Sequence, residues 1–154
     1  MTKIFVPDGW KVNKKRHLSN RLPFDFAVLR LKRPHGRPYL YPQHYSNLDK
    51  KLPLKFNGFP SDKGGTMCHS SCRVRIAKRH ILLSRCDASK GSSGSGIYSS
   101  RSGGGYKVTG IVSASVAATF AGQYKMFFTV ATKLTPAKVK LICHWVGPGT
   151  KCRI

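Results

Sequence analysis

The chain has 154 residues, of which 28 are Lys or Arg and 5 are Asp or Glu, so its formal charge is +23. All five acidic residues are aspartates, which excludes a pair of glutamates as general acid and base and a carboxylate-rich calcium loop. The length fits one domain, and a hydrophobic content of 40% predicts a packed core. The charge predicts attraction to polyanions, with nucleic acid, sulfated glycan and acidic membrane surface as candidates.

The cysteines bear on compartment and on metal binding. Five cysteines in a small chain favour disulfide bonds and an oxidising compartment. Cys68 and Cys72 flank His69, but no second pair of ligands follows at zinc-finger spacing, so no metal or cofactor site is predicted. Residues 1–20 contain no apolar signal-peptide core, and no segment approaches the roughly 18 apolar residues of a membrane span.

Turn residues separate short segments along the chain, and most of these segments have strand patterns. The segment from Phe26 to Leu31 is apolar enough to predict a buried strand. Residues 52–56 alternate apolar and polar side chains, which predicts a strand that ends in a turn at Asn57-Gly58. Residues 106–112 and 126–131 predict two more strands from their β-branched and aromatic content, and residues 99–105 a surface loop.

One helix is predicted, near the C-terminus. Thr135 suits the N-cap, Pro136 suits the first helical position, and Gly147-Pro148 ends the helix. One apolar face is formed by Val139, Ile142 and Val146. Many short strands and one terminal helix predict an all-β barrel or sandwich. Residues 33–51, rich in proline, glycine and tyrosine, are interpreted as a connector between two β units.

A glycine- and serine-rich segment contains the candidate nucleophile. In Gly91-Ser92-Ser93-Gly94, the flanking glycines permit a tight turn because they tolerate positive φ. Such a turn can present Ser93 and aim the N–H groups of Gly91 and Ser93 at a developing oxyanion. The alternative is a plain Gly/Ser linker, which the strand pattern that follows at Ile97 and Tyr98 makes less favourable.

A second candidate is Asp25, which precedes the apolar run of residues 26–29. A buried aspartate can orient a histidine ring and stabilise its protonated form. The alternative interpretation is an aspartate that caps a strand.

Several motifs in order resemble the trypsin/chymotrypsin-fold serine endopeptidases. They are D-F-A-V-L-R-L at residue 25, G-S-S-G-S-G at residue 91, T-G-I-V-S at residue 109 and a terminal helix with Trp145. Within that family the chain is similar to the branch of serine protease 23 and serine protease 35, through V-P-D-G-W, D-F-A-V-L-R-L-K-R-P-H, C-D-A-S-K-G-S-S-G-S-G-I-Y and T-P-A-K-V-K-L-I-C-H-W. The similarity extends over nearly the whole chain.

The resemblance implies a role for individual residues. Ser93 matches the nucleophile, Asp25 the triad aspartate, and Gly91 and Ser93 the backbone of the oxyanion hole. Ser113 matches a residue that binds this aspartate and lines the substrate, Ser115 lies on the same substrate-binding strand, and Asp87 matches the base of a specificity pocket. The resemblance also implies disulfides between Cys72 and Cys86 and between Cys143 and Cys152, and leaves Cys68 without an evident mate.

The resemblance fails at the catalytic base. The family has a histidine upstream of the aspartate in a T-A-A-H-C-like context, and none of the six histidines occupies such a context. Ser92 also replaces the aspartate that usually precedes the nucleophile. We therefore expect a fragment of the double-barrel fold: a remnant of the first barrel at 1–33, a connector at 34–51, and a six-stranded antiparallel barrel with a C-terminal helix at 52–154. Met1 is then expected to be an internal methionine or the start of a truncated gene model.

Three functional hypotheses remain. The first is a secreted serine endopeptidase relative that acts on peptides through Ser93 and is inactive in this chain. The second is a non-catalytic homologue that binds polyanions such as heparin through clusters at 14–16, 30–37 and 73–79. The third is a basic nucleic-acid-binding protein, for which no helix-turn-helix, zinc finger or RNA-binding strand motif is found, so no specific nucleic acid is predicted.

Overall fold

A computed structural model describes residues 3–12, 17–33, 36, 39–44, 52–100, 105–120 and 124–147. Its elements in chain order are β1 (Lys3–Phe5), α1 (Asp8–Val12), α2 (Leu18–Arg21), a 3-10 helix (Leu22–Phe24), β2 (Val28–Arg30), β3 (Tyr41–Pro42), β4 (Pro53–Gly58), a second 3-10 helix (Ser61–Lys63), β5 (Cys68–Ala77), β6 (Ile81–Ser84), β7 (Gly96–Ser100), β8 (Tyr106–Phe120), β9 (Tyr124–Lys133) and α3 (Pro136–Val146).

Six of the described strands close into an antiparallel barrel. Their order is β8-β7-β4-β5-β6-β9, and β9 pairs back onto β8. Closure depends on the length of β8, because its first residues pair with β7 while residues 110–120 pair with β9. This architecture and the terminal helix confirm the predicted all-β, trypsin-like fold class.

The barrel interior is filled by alternate side chains of its strands. In β4, Leu54 and Phe56 are almost fully buried, while Asn57, the next residue along the strand, is exposed. Burial of a Leu or Phe side chain stabilises the folded state by about 1.5–3 kcal/mol. The described core cluster consists of Leu54, Phe56, Val74, Leu82, Cys86, Ile97, Val112 and Ala131.

Two barrel strands, β5 and β6, were not predicted from the sequence. In β5 the partly buried positions include the small residues Cys68, Ser70 and Cys72, while Arg73 and Arg75 point outward. Burial therefore alternates with period two from residue 68 to residue 75, which is the pattern of a strand. The strand was not predicted because the partly buried positions hold Cys and Ser instead of large apolar residues.

The expected turn at Asn57-Gly58 is wrong. Both residues belong to β4, where Asn57 pairs with His69 and Gly58 pairs with Cys68 of β5. A Cβ on Gly58 would lie 2.9 Å from the Ser95 hydroxyl oxygen. The glycine therefore permits a close approach of the serine-rich loop to β4. Glycine within a strand often occurs where another segment approaches the backbone closely.

The expected buried strand at 26–31 is also wrong in extent and burial. Only Val28–Arg30 form β2, which pairs with β1 in a separate two-stranded sheet. Phe26 is buried but is not part of the described core cluster of the barrel, while Leu29 is 57% exposed and Leu31 is 55% exposed. Two short helices, α1 and α2, precede it and were not predicted.

The predicted C-terminal helix is confirmed. The Thr135 hydroxyl accepts a hydrogen bond from the Lys138 backbone N–H at 3.4 Å, and Gly147 donates its N–H to the Cys143 carbonyl. Trp145 of this helix stacks on Phe5 with ring centroids 5.6 Å apart. The helix thus holds the N-terminal segment against the barrel.

Candidate active site

The loop that carries Ser93 is anchored to the barrel at both of its ends. At its start, Cys86 forms a disulfide with Cys72 of β5, and the Thr129 hydroxyl donates to the Cys86 carbonyl at 2.7 Å. At its end, the Gly94 N–H donates to the Val112 carbonyl at 2.8 Å. Further hydrogen bonds to the loop come from Ser115 to the Ala88 carbonyl and from the Ser61 N–H to the Lys90 carbonyl.

One anchor of this loop was not foreseen from the sequence. The Ser89 hydroxyl donates to the Asp62 carboxylate at 2.5 Å. This hydrogen bond holds the pKa of the Asp62 carboxyl below its usual value. The two residues lie 27 positions apart. No local pattern could have revealed the contact, because it depends on how the loop folds over the second 3-10 helix.

Two backbone N–H groups of the loop have no backbone hydrogen-bond partner among the described residues. The N–H groups of Ser92 and Gly94 donate to the carbonyls of Ser89 and Val112. Within the part of the chain that the structure describes, the N–H groups of Gly91 and Ser93 make no hydrogen bond to backbone. Unbonded N–H groups beside a serine hydroxyl are what a developing oxyanion requires.

Gly91 gives the loop its shape. Its φ is +96°, in the region that favours glycine, and a Cβ would lie 2.4 Å from the Phe59 carbonyl oxygen. The chain can pass so close to Phe59 only because position 91 has no side chain.

Ser113 lies at a β-bulge and connects the two candidate catalytic residues. Val112 and Ala114 pair with consecutive residues of β9, so Ser113 is the extra residue in the register of β8. A bulge re-aims the side chain of the extra residue. Its hydroxyl donates to the Asp25 carboxylate, and its carbonyl accepts from the Ser93 hydroxyl at 3.4 Å.

Asp25 is held at this position through its backbone. The Thr132 hydroxyl of β9 lies 2.6 Å from the Leu22 carbonyl oxygen and 3.2 Å from the Asp25 carbonyl oxygen. Asp25 is half-buried, whereas Ser93 is exposed. Both residues line one open cavity of about 360 Å³, together with Val6, Trp10, Leu29 and Ile111.

No histidine among the described residues lines this cavity. His17 contacts Ser19, His44 contacts the Leu134 carbonyl, and His69 contacts Asn57. His80 lies near the terminal helix, and His144 is part of it. His35 is outside the described residues. Ser93 and Asp25 therefore line the same cavity without a described imidazole between them.

Asp87 lies in a different cavity from Ser93. It lines a small cavity of about 70 Å³ with Ser92, Asp62 and Gly58, away from Asp25 and Ser113. Ser92 is 2% exposed, so the residue before the nucleophile candidate is buried next to two carboxylates. The exposed Ser115 bonds to the loop itself, at the Ala88 carbonyl.

The remaining expectations about cysteines and metals can be placed in part. Cys68 is a free thiol. The expected Cys143–Cys152 pair includes Cys152, which is outside the described residues. Across the described ranges, no three His, Cys, Asp or Glu side chains come together as metal ligands would. None of the described helices combines the length and apolarity that a bilayer crossing needs.

No model of a known protein family matches the chain. The chain is similar to serine protease 23 of Homo sapiens, with 31% identity over 96% of this chain and 40% of that protein. It is also similar to inactive serine protease 35 of Bos taurus, with 32% identity over 96% of this chain and 37% of that protein. The chain thus spans about two fifths of the length of the curated relatives it matches.

Proposed function

Because this chain belongs to the trypsin-like serine protease family, we propose that Ser93 is the nucleophile of an acyl-transfer site that lacks its base in these 154 residues. The observation that carries the proposal is the bridge through Ser113, which contacts both Ser93 and Asp25 at the edge of a shared cavity. Ser93 would attack a peptide carbonyl, and the N–H groups of Gly91 and Ser93 would stabilise the oxyanion. Asp25 would orient an imidazole and stabilise its charged form.

Without that imidazole the chain does not hydrolyse peptide bonds at a useful rate. Loss of one triad member typically costs several orders of magnitude in rate. One of the relatives carries the word "inactive" in its name, which supports a non-catalytic chain. Asp87 lines another cavity than Ser93, so its position does not support a role in substrate selection at Ser93.

A chemical rescue experiment tests the proposal. The cavity between Asp25 and Ser93 has room for free imidazole. We expect a fluorophosphonate probe to leave the chain unlabelled in buffer and to label it when imidazole is added at high concentration. The label should be absent in Ser93→Ala and weaker in Asp25→Asn.

The outcomes separate the two parts of the proposal. Labelling without imidazole that disappears in Ser93→Ala would show that the chain already has a base. Failure of imidazole to promote any labelling would show that Ser93 does not stand in an acyl-transfer site. Sodium chloride at the same ionic strength is the control for a salt effect on this highly charged chain.

The disulfide between Cys72 and Cys86 supports a secreted protein as part of the same proposal. Disulfides persist in oxidising compartments and are rare in reducing ones. Secretion is tested by expressing a tagged protein with the transcript sequence upstream of the Met1 codon and measuring its amounts in the culture medium and in the cells. We expect most of the protein in the medium, and a protein that stays in the cells would contradict secretion.

A second candidate function is the binding of sulfated glycans. Between described residues one ion pair is seen, that of Lys11 with Asp8, so described carboxylates balance little of the positive charge of the described cations. On the outer face of the barrel, Arg75 and Arg85 line an open groove of about 250 Å³ with Met126 and Phe128. Arg73 is exposed on the same strand as Arg75, and the cluster at 14–16 is outside the described residues.

Retention on heparin tests this second candidate. We expect the chain to elute from heparin at a higher salt concentration than from a sulfonate resin. Arg73→Gln/Arg75→Gln/Arg85→Gln should remove this difference, while the matched variant Lys3→Gln/Lys11→Gln/Lys140→Gln should keep it. Equal elution from both resins, or equal loss in both variants, would mean that the chain is only a diffuse polycation.

A further inference from the structure

A second large cavity lies on the other side of the N-terminal segment, away from Ser93. It has a volume of about 300 Å³ and is bounded by residues 7–9, by Pro23, Phe24 and Phe26, and by the first turns of α3. Its wall is mostly apolar, with Phe24, Phe26 and Leu141 as the large contributors. A concave apolar cavity of this size that also contains a few polar groups is typical of a small-molecule site.

Two of the four polar side chains that line this cavity are basic, Lys138 and His80, and the others are Asp8 and Thr135. Lys138, on α3, lines the cavity and is 7% exposed. Its ammonium donates to the carbonyls of Lys133 at 2.9 Å and His80 at 3.4 Å, and it has no carboxylate partner within the described residues. Lys133 is itself 8% exposed, and neither lysine pairs with a carboxylate among the described residues.

His80 is the second basic group on the wall of this cavity. Its Nδ1 atom is buried and makes no hydrogen bond within the part of the chain that the structure describes. An unpaired buried polar atom destabilises the folded state, so a ligand that supplies a hydrogen-bond partner stabilises it. The one aspartate on the cavity wall, Asp8, is mostly exposed and pairs with Lys11 at 3.1 Å, which leaves Lys138 uncompensated.

The surroundings of Lys138 disfavour its charge. Burial, and secondarily the charge of Lys133, lower the pKa of Lys138 to about 8. Burial also lowers the pKa of His80, and the charges of Lys138 and Arg79 add to this effect. An anion in the cavity would reverse this penalty, because an opposite charge favours the protonated form of both groups.

We propose that this cavity binds a carboxylic acid with an apolar chain, its carboxylate beside the Lys138 ammonium and its chain against Phe24, Phe26 and Leu141. A carboxylate fits better than a phosphate because one monovalent charge needs few hydrogen-bond donors, and the rest of the wall is apolar. A medium-chain fatty acid has the size that such a cavity accommodates. Phe26 lines both this cavity and the one beside Ser93, but no residue of the Ser93 loop lines this cavity, and the proposal does not rest on the proposed peptidase chemistry.

Calorimetric titration of the full chain with decanoate, below its micelle concentration, tests the proposal. Decanol supplies the same chain without the charge, and acetate supplies the charge without the chain. We expect saturable binding of one decanoate per chain, and much weaker binding of decanol and acetate. Lys138→Met should weaken decanoate binding by about tenfold or more, since it removes a charge-assisted hydrogen bond.

A matched control separates a specific site from the general attraction of a cationic surface. Lys140 lies two residues away on the same helix and is exposed, so Lys140→Met removes the same charge without touching the cavity. We expect its affinity for decanoate to stay within about twofold of the unsubstituted chain. Equal affinities of the two variants, or equal binding of decanol and decanoate, would overturn the proposal.

A second variant keeps the proposal testable if Lys138→Met does not fold. Ala137 is exposed on the helix surface and borders the cavity, so Ala137→Trp can fill the space without disturbing the buried face. We expect this variant to lose decanoate binding and to keep its circular dichroism spectrum. Undiminished binding would show that decanoate sits elsewhere. Ser93→Ala should bind decanoate as the unsubstituted chain does.

Discussion

The Ser113 hydroxyl donates a hydrogen bond to the Asp25 carboxylate, across 88 positions of sequence. The bond joins the N-terminal segment to β8 of the barrel, and it exists because Ser113 is the extra residue of a β-bulge. In a regular strand, the side chain at 113 would follow the alternation of its neighbours. The candidate site thus depends on an irregularity of the sheet.

Replacement of Ser113 should destabilise the chain more than replacement of Ser115. Ser113→Ala leaves a half-buried carboxylate without its donor, which should lower the free energy of unfolding by about 1.5 kcal/mol. Ser115→Ala removes an exposed hydrogen bond to the Ala88 carbonyl and should cost less than about 0.5 kcal/mol. Urea denaturation of both variants measures the difference, and equal losses would contradict the role of Ser113.

Substitution of Gly91 should be far more costly than substitution of Gly94. Both glycines have positive φ, at +96° and +87°, but a Cβ at 91 meets the Phe59 carbonyl oxygen at 2.4 Å while a Cβ at 94 meets nothing within 4 Å. Gly94→Ala should cost about 1 kcal/mol from backbone strain alone. Gly91→Ala should cost about 3 kcal/mol, because strain and clash combine. Thermal denaturation of the two variants measures the contribution of the clash as the difference between their melting temperatures. Equal melting temperatures would show that the clash at position 91 contributes nothing.

Removal of the Cys72–Cys86 disulfide should lower stability by about 3 kcal/mol. The bond joins two cysteines that are 14 positions apart in the sequence. Closing a loop of about 15 residues lowers the entropy of the unfolded chain, which stabilises the folded state by about 3 kcal/mol. The variant Cys72→Ala/Cys86→Ala should show this loss in urea. Cys68→Ser, which replaces a free thiol in the described part of the chain, is the control and should change little. A similar loss of stability in Cys68→Ser would show that Cys68 also takes part in a disulfide.

The buried lysine should make stability rise with pH in the alkaline range. The pKa of Lys138 is lowered from 10.5 to about 8 in the folded chain, so between these values the unfolded state binds more protons than the folded state. Stability therefore increases as pH rises from about 8 to about 10.5, and the penalty is fully present below about 8. With solvent screening included, the gain is about 2 kcal/mol.

Comparison with Lys138→Met isolates this effect from the general loss of repulsion among the many lysines. The difference in unfolding free energy between the unsubstituted chain and the variant should shift in favour of the former as pH rises. Cys68→Ser is the background for both proteins, because a free thiolate at high pH would exchange with the disulfide. A difference that stays constant with pH would show that Lys138 keeps its ordinary pKa.

Local signals in the sequence were sufficient where neighbouring residues alone decide the outcome. Thr135, Pro136 and Gly147 predicted the terminal helix because capping depends on a few consecutive residues. The glycines around Ser93 predicted a tight turn, and Gly91 and Gly94 both have positive φ. The order of motifs was also enough to predict the fold class.

Other features were decided only by the tertiary structure. Gly58 was predicted to be in a turn, yet it lies in β4 because the Ser93 loop packs against it. The apolar run at 26–31 was predicted to be buried, yet Leu29 is exposed because its strand pairs with β1 outside the barrel.

The sequence by itself determined the fold class through the resemblance of several motifs along the chain to a known family. It determined the terminal helix and singled out Ser93 as candidate nucleophile through residues that are close together in the chain. The resemblance implied that Ser113 binds Asp25, but only the tertiary structure decided that the Ser113 carbonyl also accepts from Ser93 and that Asp87 faces another cavity. It also decided that Lys138 is buried without a carboxylate partner among the described residues. Each of these depends on contacts between distant segments. Their distances are set by strand register and barrel closure, which no local pattern records.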